Sequence, residues 1–259
     1  MLISWIEAQP VPVIVVIGYM LCFSMAAAIF IVAWLLSRTK LADDLSFITP
    51  TLLAPLGVIL GLLLVFLSSR VWTNVDRASI AASQEATAVQ ELRRVADELP
   101  PAVADPIRDG VAVYLKWVQQ DDWPSMMSGN GSLRVKLPGI AEAMKALADY
   151  DATVSGQRDV QEAALAAIGK VRDARRARIL QSRSFIGPGQ WLVVLVLYFH
   201  MLLLISTVHI KRRVAMAVAL WMFSSAFAIC FVLLLMYDRP FRSGGLIVGP
   251  VGIESPVEE

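Results

Sequence analysis

The sequence predicts an all-α integral membrane protein in which four transmembrane helices, arranged as two hairpins, flank a helical soluble domain. Three observations carry this. The chain of 259 residues is 57% hydrophobic and only 17% charged, with a mean hydropathy of +0.62, far from the balance of a water-soluble enzyme. Four runs without Asp, Glu, Lys or Arg are long enough to cross a hydrocarbon core of about 30 Å, which takes about 20 helical residues. The charges gather between the second and third runs: Arg70 to Arg183 holds sixteen Lys/Arg and fifteen Asp/Glu, so a net charge of +1 hides two solvents alternating along one chain.

The four spans run from Val13 to Leu36, Phe47 to Ser69, Gln190 to Val208 and Val214 to Tyr237. The first is too long for a signal peptide, carries Glu7 where a basic leader would stand and is followed by another span, so it is expected to stay in the chain. Trp5, Trp34, Trp72 and Trp191 lie near span ends, where an amphipathic ring prefers the headgroup level, while Trp221 breaks the pattern. Short polar connections, Ser37 to Ser46 and His209 to Arg213, close the spans into hairpins. The expected organisation is an N-terminal transmembrane hairpin over 1–69, a helical domain over 70–186, a second hairpin over 187–241 and a tail over 242–259.

Between the hairpins, Arg70 to Glu98 is rich in Ala, Glu, Gln and Arg and should continue the second span as helix into water, stopping at Pro100-Pro101. A second helix is expected from Ala102 to Trp123, ending at Pro124 ahead of the turn cluster from Ser128 to Ser132. A third helical region, Pro138 to Ser182, is interrupted near Gly156 and leads through Gly187-Pro188-Gly189 into the third span. Asn130-Gly131-Ser132 matches the glycosylation triplet but reads as loop.

Four spans put both termini and the central domain on one side. Arg70, Arg77, Arg175, Arg176, Arg178, Arg183, Arg239 and Arg242 flank the spans on that side, against Arg38, Lys40, Lys211, Arg212 and Arg213 on the other, so the positive-inside rule places the domain in the cytoplasm. The basic helix Arg172, Arg175, Arg176, Arg178 and Arg183 is expected to attract anionic headgroups.

Chemistry-bearing patterns are sparse. Cys22 and Cys230 fall in apolar runs and read as small buried hydrophobes. Asp121-Asp122 lacks the oxygen-rich turn of a cation site and reads as a solvated helix end, so no metal and no cofactor is expected. His200 is a conceivable proton relay or ligand, but reads first as hydrogen-bonded to a neighbouring helix. Nothing in the sequence forms a nucleophile elbow, a phosphate-cradling glycine loop or a zincin motif, so neither an enzyme nor a nucleic-acid partner is expected.

Charge-free spans suit a passive pore better than a proton-coupled pump or a voltage sensor. On the second span Ile59, Leu62, Phe66 and Arg70 share a helical face; repeated around a ring of subunits they would make an apolar neck followed by a basic ring, and otherwise they pack or meet lipid. Gly57 and Gly61 form a small-xxx-small packing pair, and Pro50 and Pro55 are expected to bend the start of this span.

Several landmarks then coincide in order: Val71-Trp72 and Asp76, Glu85-Ala86, Leu99-Pro100, Tyr114, Asp122-Trp123-Pro124, and Asp238-Arg239-Pro240-Phe241 closing the fourth span. With these residues the sequence resembles the bestrophin-like family of bacterial integral membrane proteins from about Phe47 to the C-terminus. The Asp-Trp-Pro step and the Asp-Arg-Pro-Phe close are the most specific parts and read as structural. The resemblance implies a layout similar to that of bestrophins, pentameric anion channels: a homo-oligomer in the bacterial inner membrane whose second span faces a central pore and which passes small inorganic anions. The bestrophin pore motif itself is not present. The function expected is therefore a homo-oligomeric, anion-preferring channel. The alternative is a non-conducting membrane scaffold presenting its helical domain to a partner, with an enzyme at the lipid surface ranked last.

Overall fold

The computed structural model describes residues 9–39, 50–152, 155–182 and 186–241, and among them it is helical throughout, with no strand. In chain order the helices are α1 (Val11–Leu36), α2 (Leu53–Ala96), α3 (Pro101–Trp117), α4 (Trp123–Met127), α5 (Ile140–Ala148), α6 (Ser155–Gln181), α7 (Pro188–Val208) and α8 (Arg213–Tyr237). Four of them, α1, α2, α7 and α8, are long and apolar enough to cross a membrane. Trp5, Glu7, Lys40, Ser46, Phe47, Arg183 and Arg242, which entered the sequence reading, lie outside the described residues. The chain separates into two compact units, one of 1–73 with 184–239 and one of 74–183 with 240–259.

In the first unit α1 packs most extensively on α8 and also touches α7, which packs on α8 in turn. Ile14, Gly18, Cys22, Ala26, Ile29 and Ala33 recur every three or four residues and form the buried face of α1. Gly18 is where α1 and α8 come closest, since a Cβ built there would overlap the side chain of Val232. The Tyr198 hydroxyl of α7 donates to the Cys22 carbonyl oxygen at 3.0 Å and lies 2.8 Å from Ser224 Oγ, so one polar contact joins α7, α1 and α8 in an apolar setting. Tyr198 also stacks on Phe227, ring centroids 3.9 Å apart.

The tryptophans divide. Trp34 has the guanidinium of Arg38 4.1 Å from its ring centroid and that of Arg213 at 5.7 Å, the amphipathic setting expected at a membrane boundary. Trp191 does not sit in such a belt. It is buried, meets Phe231 edge to face at 5.3 Å, and its indole N–H has no hydrogen-bond partner.

The start of the second span also differs from expectation. Pro50–Leu52 is a single 3-10 turn and α2 begins at Leu53, so Pro55 stands in the first turn, where its missing N–H leaves no bond unmade. From there α2 runs unbroken for 44 residues, about 66 Å at the usual rise. Its exposed positions Ile59, Leu62, Phe66, Arg70, Thr73, Arg77, Ile80, Gln84 and Thr87 follow a three-four spacing, and the buried positions Leu67, Val71, Asn74, Ala78, Ala81, Glu85, Ala88, Leu92 and Val95 follow the same rhythm one residue later, about 100° round the helix.

In the second unit α3 turns Val103, Ile107, Val111 and Tyr114 inward, and α5 packs on α3. That approach depends on Gly110 of α3 and Gly139, which precedes α5 with φ of 76°: a Cβ on either would overlap the other's backbone. The helix expected to stop at Pro124 does not stop there. Val118–Asp122 is a π-helical turn, and the chain stays helical through Pro124 to Met127, because Pro124 occupies the opening turn of α4. The break follows Ala148, where α5 ends, and so precedes Gly156, which lies inside α6.

Candidate functional site

Two groups of residues are candidates: the exposed stripe of α2, and a buried charge cluster in the second unit. On α2, Ile59 is 53% exposed, Leu62 65% and Phe66 57%, values that leave a bulky apolar face without cover within the chain. Arg70 extends the stripe, and its guanidinium lies 5.4 Å from the ring centroid of Phe66 one turn earlier. Ile59 also borders a cavity of about 590 Å³ lined by apolar residues of α1 and α7, among them Ile29, Val32, Leu203 and Leu204. His200 lines the same cavity, and its Nδ1 lies 2.7 Å from the Val196 carbonyl oxygen of its own helix, so its partner is not a neighbouring helix as the sequence suggested. The glycine pair is asymmetric: a Cβ on Gly57 would meet only the Met201 side chain at 3.8 Å, and Gly61 faces open space. Among the described residues of the first unit, the tight small-residue contact is instead at Gly18.

The buried cluster gathers Glu85 from α2, Tyr114 from α3, Asp122 from the π-helical turn, and Arg175 and Arg178 from α6. All five are at most 4% exposed. Arg178 donates from Nε to Glu85 Oε2 at 2.5 Å, and from Nη2 to Glu85 Oε1 at 3.1 Å and to Asp122 Oδ2 at 2.8 Å. Arg175 donates from Nε to Asp122 Oδ2 at 3.0 Å, and from Nη2 to Asp122 Oδ1 at 2.6 Å and to the Ser132 carbonyl oxygen at 3.0 Å. Tyr114 Oη donates to Glu85 Oε1 at 2.6 Å. Trp117 lies under the Arg175 guanidinium at 5.1 Å and Trp123 under that of Arg178 at 5.0 Å. Two carboxylates thus face two guanidiniums, and each carboxylate oxygen accepts at least one hydrogen bond, the condition under which buried ions hold together.

Asp122 lies four residues after Val118 and eight after Tyr114, so helical winding puts it on their buried face, while Asp121 stays exposed. Electrostatics follow from the burial. Tyr114 is pushed well above the ordinary tyrosine value, first by burial and then by the Glu85 charge beside it. Burial acts to lower Arg178, but the Glu85 and Asp122 carboxylates outweigh it and leave the guanidinium more firmly protonated than usual.

Two sequence readings are corrected here. Asp122 is not part of a solvated helix end, because Arg175 and Arg178 hold it inside the unit. Arg175 and Arg178 do not belong to a surface-facing basic helix, because both are buried and spend their donors on these carboxylates. Of that helix, Arg172 and Arg176 remain exposed. Among the described residues no group of three or more His, Cys, Asp or Glu could hold a metal ion.

The other landmark residues take structural places. Trp72 packs on Tyr237, ring centroids 4.8 Å apart. Asp238 accepts a hydrogen bond from the Ile186 backbone N–H at 2.7 Å, capping the approach to α7. Phe241 meets Trp123 edge to face at 5.5 Å inside the core of the second unit, with Pro240 buried before it and Arg239 half-buried. Asp76 and Pro124 are exposed and join neither group. The sequence reading singled out Glu85, Tyr114 and Asp122 but not their arginine partners, whose signal was available only as the three-residue spacing that puts Arg175 and Arg178 on one face of α6.

No curated protein and no solved structure matches the chain significantly. A family profile described as the bestrophin-like domain matches residues 20–252, beginning within α1 and so earlier than the sequence resemblance suggested. The chain therefore belongs to the bestrophin-like domain family.

Proposed function

We propose that this protein is the subunit of a homo-oligomeric, anion-preferring channel of the bacterial inner membrane, with α2 lining a central pore and the helical unit on the cytoplasmic side. The observation that carries the reading is the uneven burial of the four spans. The apolar stretch of α2 is only 17% buried within the chain, against 28% for α1 and 44% for α7 and α8. The helix least covered by its own chain is the one with a face left for a lumen and for neighbouring subunits.

Family membership supports this reading, since bestrophin-like proteins take their name from channels. The order of side chains along the stripe supports it too. Leu62 and Phe66 would make an apolar neck that resists wetting, and Arg70 would repeat around its mouth as a basic ring. Beyond Arg70 the same face carries Thr73, Arg77, Ile80, Gln84 and Thr87, a mostly polar wall suited to a hydrated conduit.

Planar-bilayer recording in asymmetric chloride salts tests the proposal. Wild type is expected to conduct with a reversal potential displaced towards that of chloride. Arg70→Glu places a ring of carboxylates in a confined, weakly screened site and is expected to shift the reversal potential towards cations. A strict monomer in nanodiscs, or a silent wild type across pH and calcium, would overturn the channel. Silence combined with capture of a stable partner by the helical unit would support the scaffold instead.

A further inference from the structure

We infer that the helical unit holds a binding site for an aliphatic phosphate, in a cavity of about 750 Å³ formed by the 133–137 segment, α5 and α6. This inference does not depend on conduction by α2. The cavity falls in the size range of small-ligand sites, roughly 300–1,000 Å³.

Charge selects the ligand class. Arg134 and Lys136 approach from the segment before α5, and Arg172 and Arg176 from α6. None of these four side chains takes part in an ion pair or a side-chain hydrogen bond among the described residues, although the same unit pairs Arg108, Lys170, Arg175 and Arg178 with carboxylates. Asp173 is the single carboxylate on the cavity wall. Four cations without carboxylate partners among the described residues, against one anion, attract an anionic ligand. Three of the four are guanidiniums, whose planar fork fits phosphate oxygens in pairs.

The remaining wall selects the body of the ligand. Leu133, Val135, Leu137, Ile140 and Met144 supply it, and no aromatic ring lines the cavity. Leu133, Val135 and Met144 are 38%, 44% and 40% exposed, a cluster of apolar side chains facing solvent beside the charges. An aliphatic wall buries an alkyl or acyl chain well and offers nothing for a nucleobase to stack on. Arg175 also lines the cavity, held by Asp122 and the Ser132 carbonyl oxygen, so this part of the wall is fixed in place. The shared chemistry is a phosphate ester on a short aliphatic body, which either a phospholipid headgroup region or a water-soluble alkyl phosphate supplies.

Calorimetric titration of the full chain in detergent tests the site, with hexyl phosphate, dioctanoyl phosphatidylglycerol, octanoate and inorganic phosphate as probes. At least one of the two esters is expected to bind saturably and more tightly than octanoate or inorganic phosphate. The double variant Arg172→Gln/Arg176→Gln is expected to weaken that binding about tenfold or more, through loss of charge-assisted hydrogen bonds. Arg93→Gln/Arg94→Gln on α2, away from the cavity, should leave it unchanged. Tighter binding of the phosphatidylglycerol marks a lipid source, and equal or tighter binding of hexyl phosphate a soluble one; both support the site. Val135→Glu, which adds an anion to the wall at an exposed position, should abolish binding even if the arginine variant fails to fold. No saturable binding of either ester overturns the inference. So does binding that survives Val135→Glu, or octanoate or inorganic phosphate binding as tightly as the esters.

Discussion

Arg178 and Glu85, separated by 93 positions in sequence, are fully buried against one another, with Nε donating to Oε2 at 2.5 Å. The pair ties α6 to α2, the helix that carries the proposed pore face. Asp122 and Arg175 extend the connection to the π turn and to the 128–139 segment, so four separate stretches of chain meet in one charge-balanced cluster.

Removing one member should therefore be costly. Arg178→Met leaves Glu85 with an uncompensated buried charge, Asp122 keeping Arg175, and the expected loss is roughly 3–5 kcal/mol, the range for breaking a buried pair. Glu85→Met should cost a similar amount. Replacing both, as Glu85→Met/Arg178→Met, should cost markedly less than the sum of the single changes. Chemical unfolding of the four proteins in the same detergent measures this coupling, and additive losses would show that the two side chains do not depend on each other.

Tyr114 gives the cluster a pH signature. Its folded-state value lies well above the ordinary 10.0 because of burial and the neighbouring Glu85 charge. The tyrosine's contribution is complete below the unfolded value and declines as pH rises past about 10, where the unfolded chain ionises the phenol and the folded chain does not. Tyr114→Phe should destabilise the protein at pH 7 by about 1–3 kcal/mol, since Glu85 loses a donor. The gap between variant and wild type should narrow above pH 10. Unfolding midpoints collected from pH 7 to 11 would contradict this if the two curves stayed parallel.

The membrane helices were legible in sequence because lipid imposes a coarse rule: about 20 residues without charge, whatever their packing. The continuity of α2 was legible for a similar reason, since no proline follows Pro55 before Ala96. Partners were harder to read. That α1 packs chiefly on α8 depends on Gly18 meeting Val232, a contact between positions more than 200 residues apart that no local pattern announces. The π turn was missed because Val118 to Asp122 has no composition of its own, and Pro124 after it looks like a stop. Read as the frayed end of a helix Asp122 appears solvated, although it follows Val118 by four residues and Tyr114 by eight, and without Asp122 inside, Arg175 and Arg178 look like ordinary surface charge. One misread helix end thus accounts for two misread sites.

That correction bears on orientation, because Arg175 and Arg178 are neutralised inside the unit and do not count as free positive charge near the membrane. Arg70, Arg77, Arg172 and Arg176 remain exposed on the domain side. In a Cys22→Ala/Cys230→Ala background, Ser128→Cys is expected to be protected from membrane-impermeant maleimide in intact cells, and Thr39→Cys to be labelled. Both positions are exposed, so protection would report sidedness rather than burial. The reverse pattern would place the helical unit outside.

Phe66 and Arg70 offer the sharpest test of the proposed neck. The ring and the guanidinium lie 5.4 Å apart on one face of α2, so Phe66 would act twice, as an apolar constriction and as a support that holds the basic ring at its mouth. Two substitutions separate these roles. Phe66→Ala removes both bulk and support and should raise single-channel conductance while weakening chloride preference, since a wider, wetter neck screens the Arg70 charges more effectively. Phe66→Leu keeps an apolar obstruction but loses the cation–π contact, worth about 0.5–1 kcal/mol at an exposed site. Its conductance should stay close to wild type, with only a small change in selectivity. If Phe66 instead faces lipid or packs against a neighbour, both variants will conduct like wild type, and the stripe from Ile59 to Arg70 will have to be reassigned away from the pore.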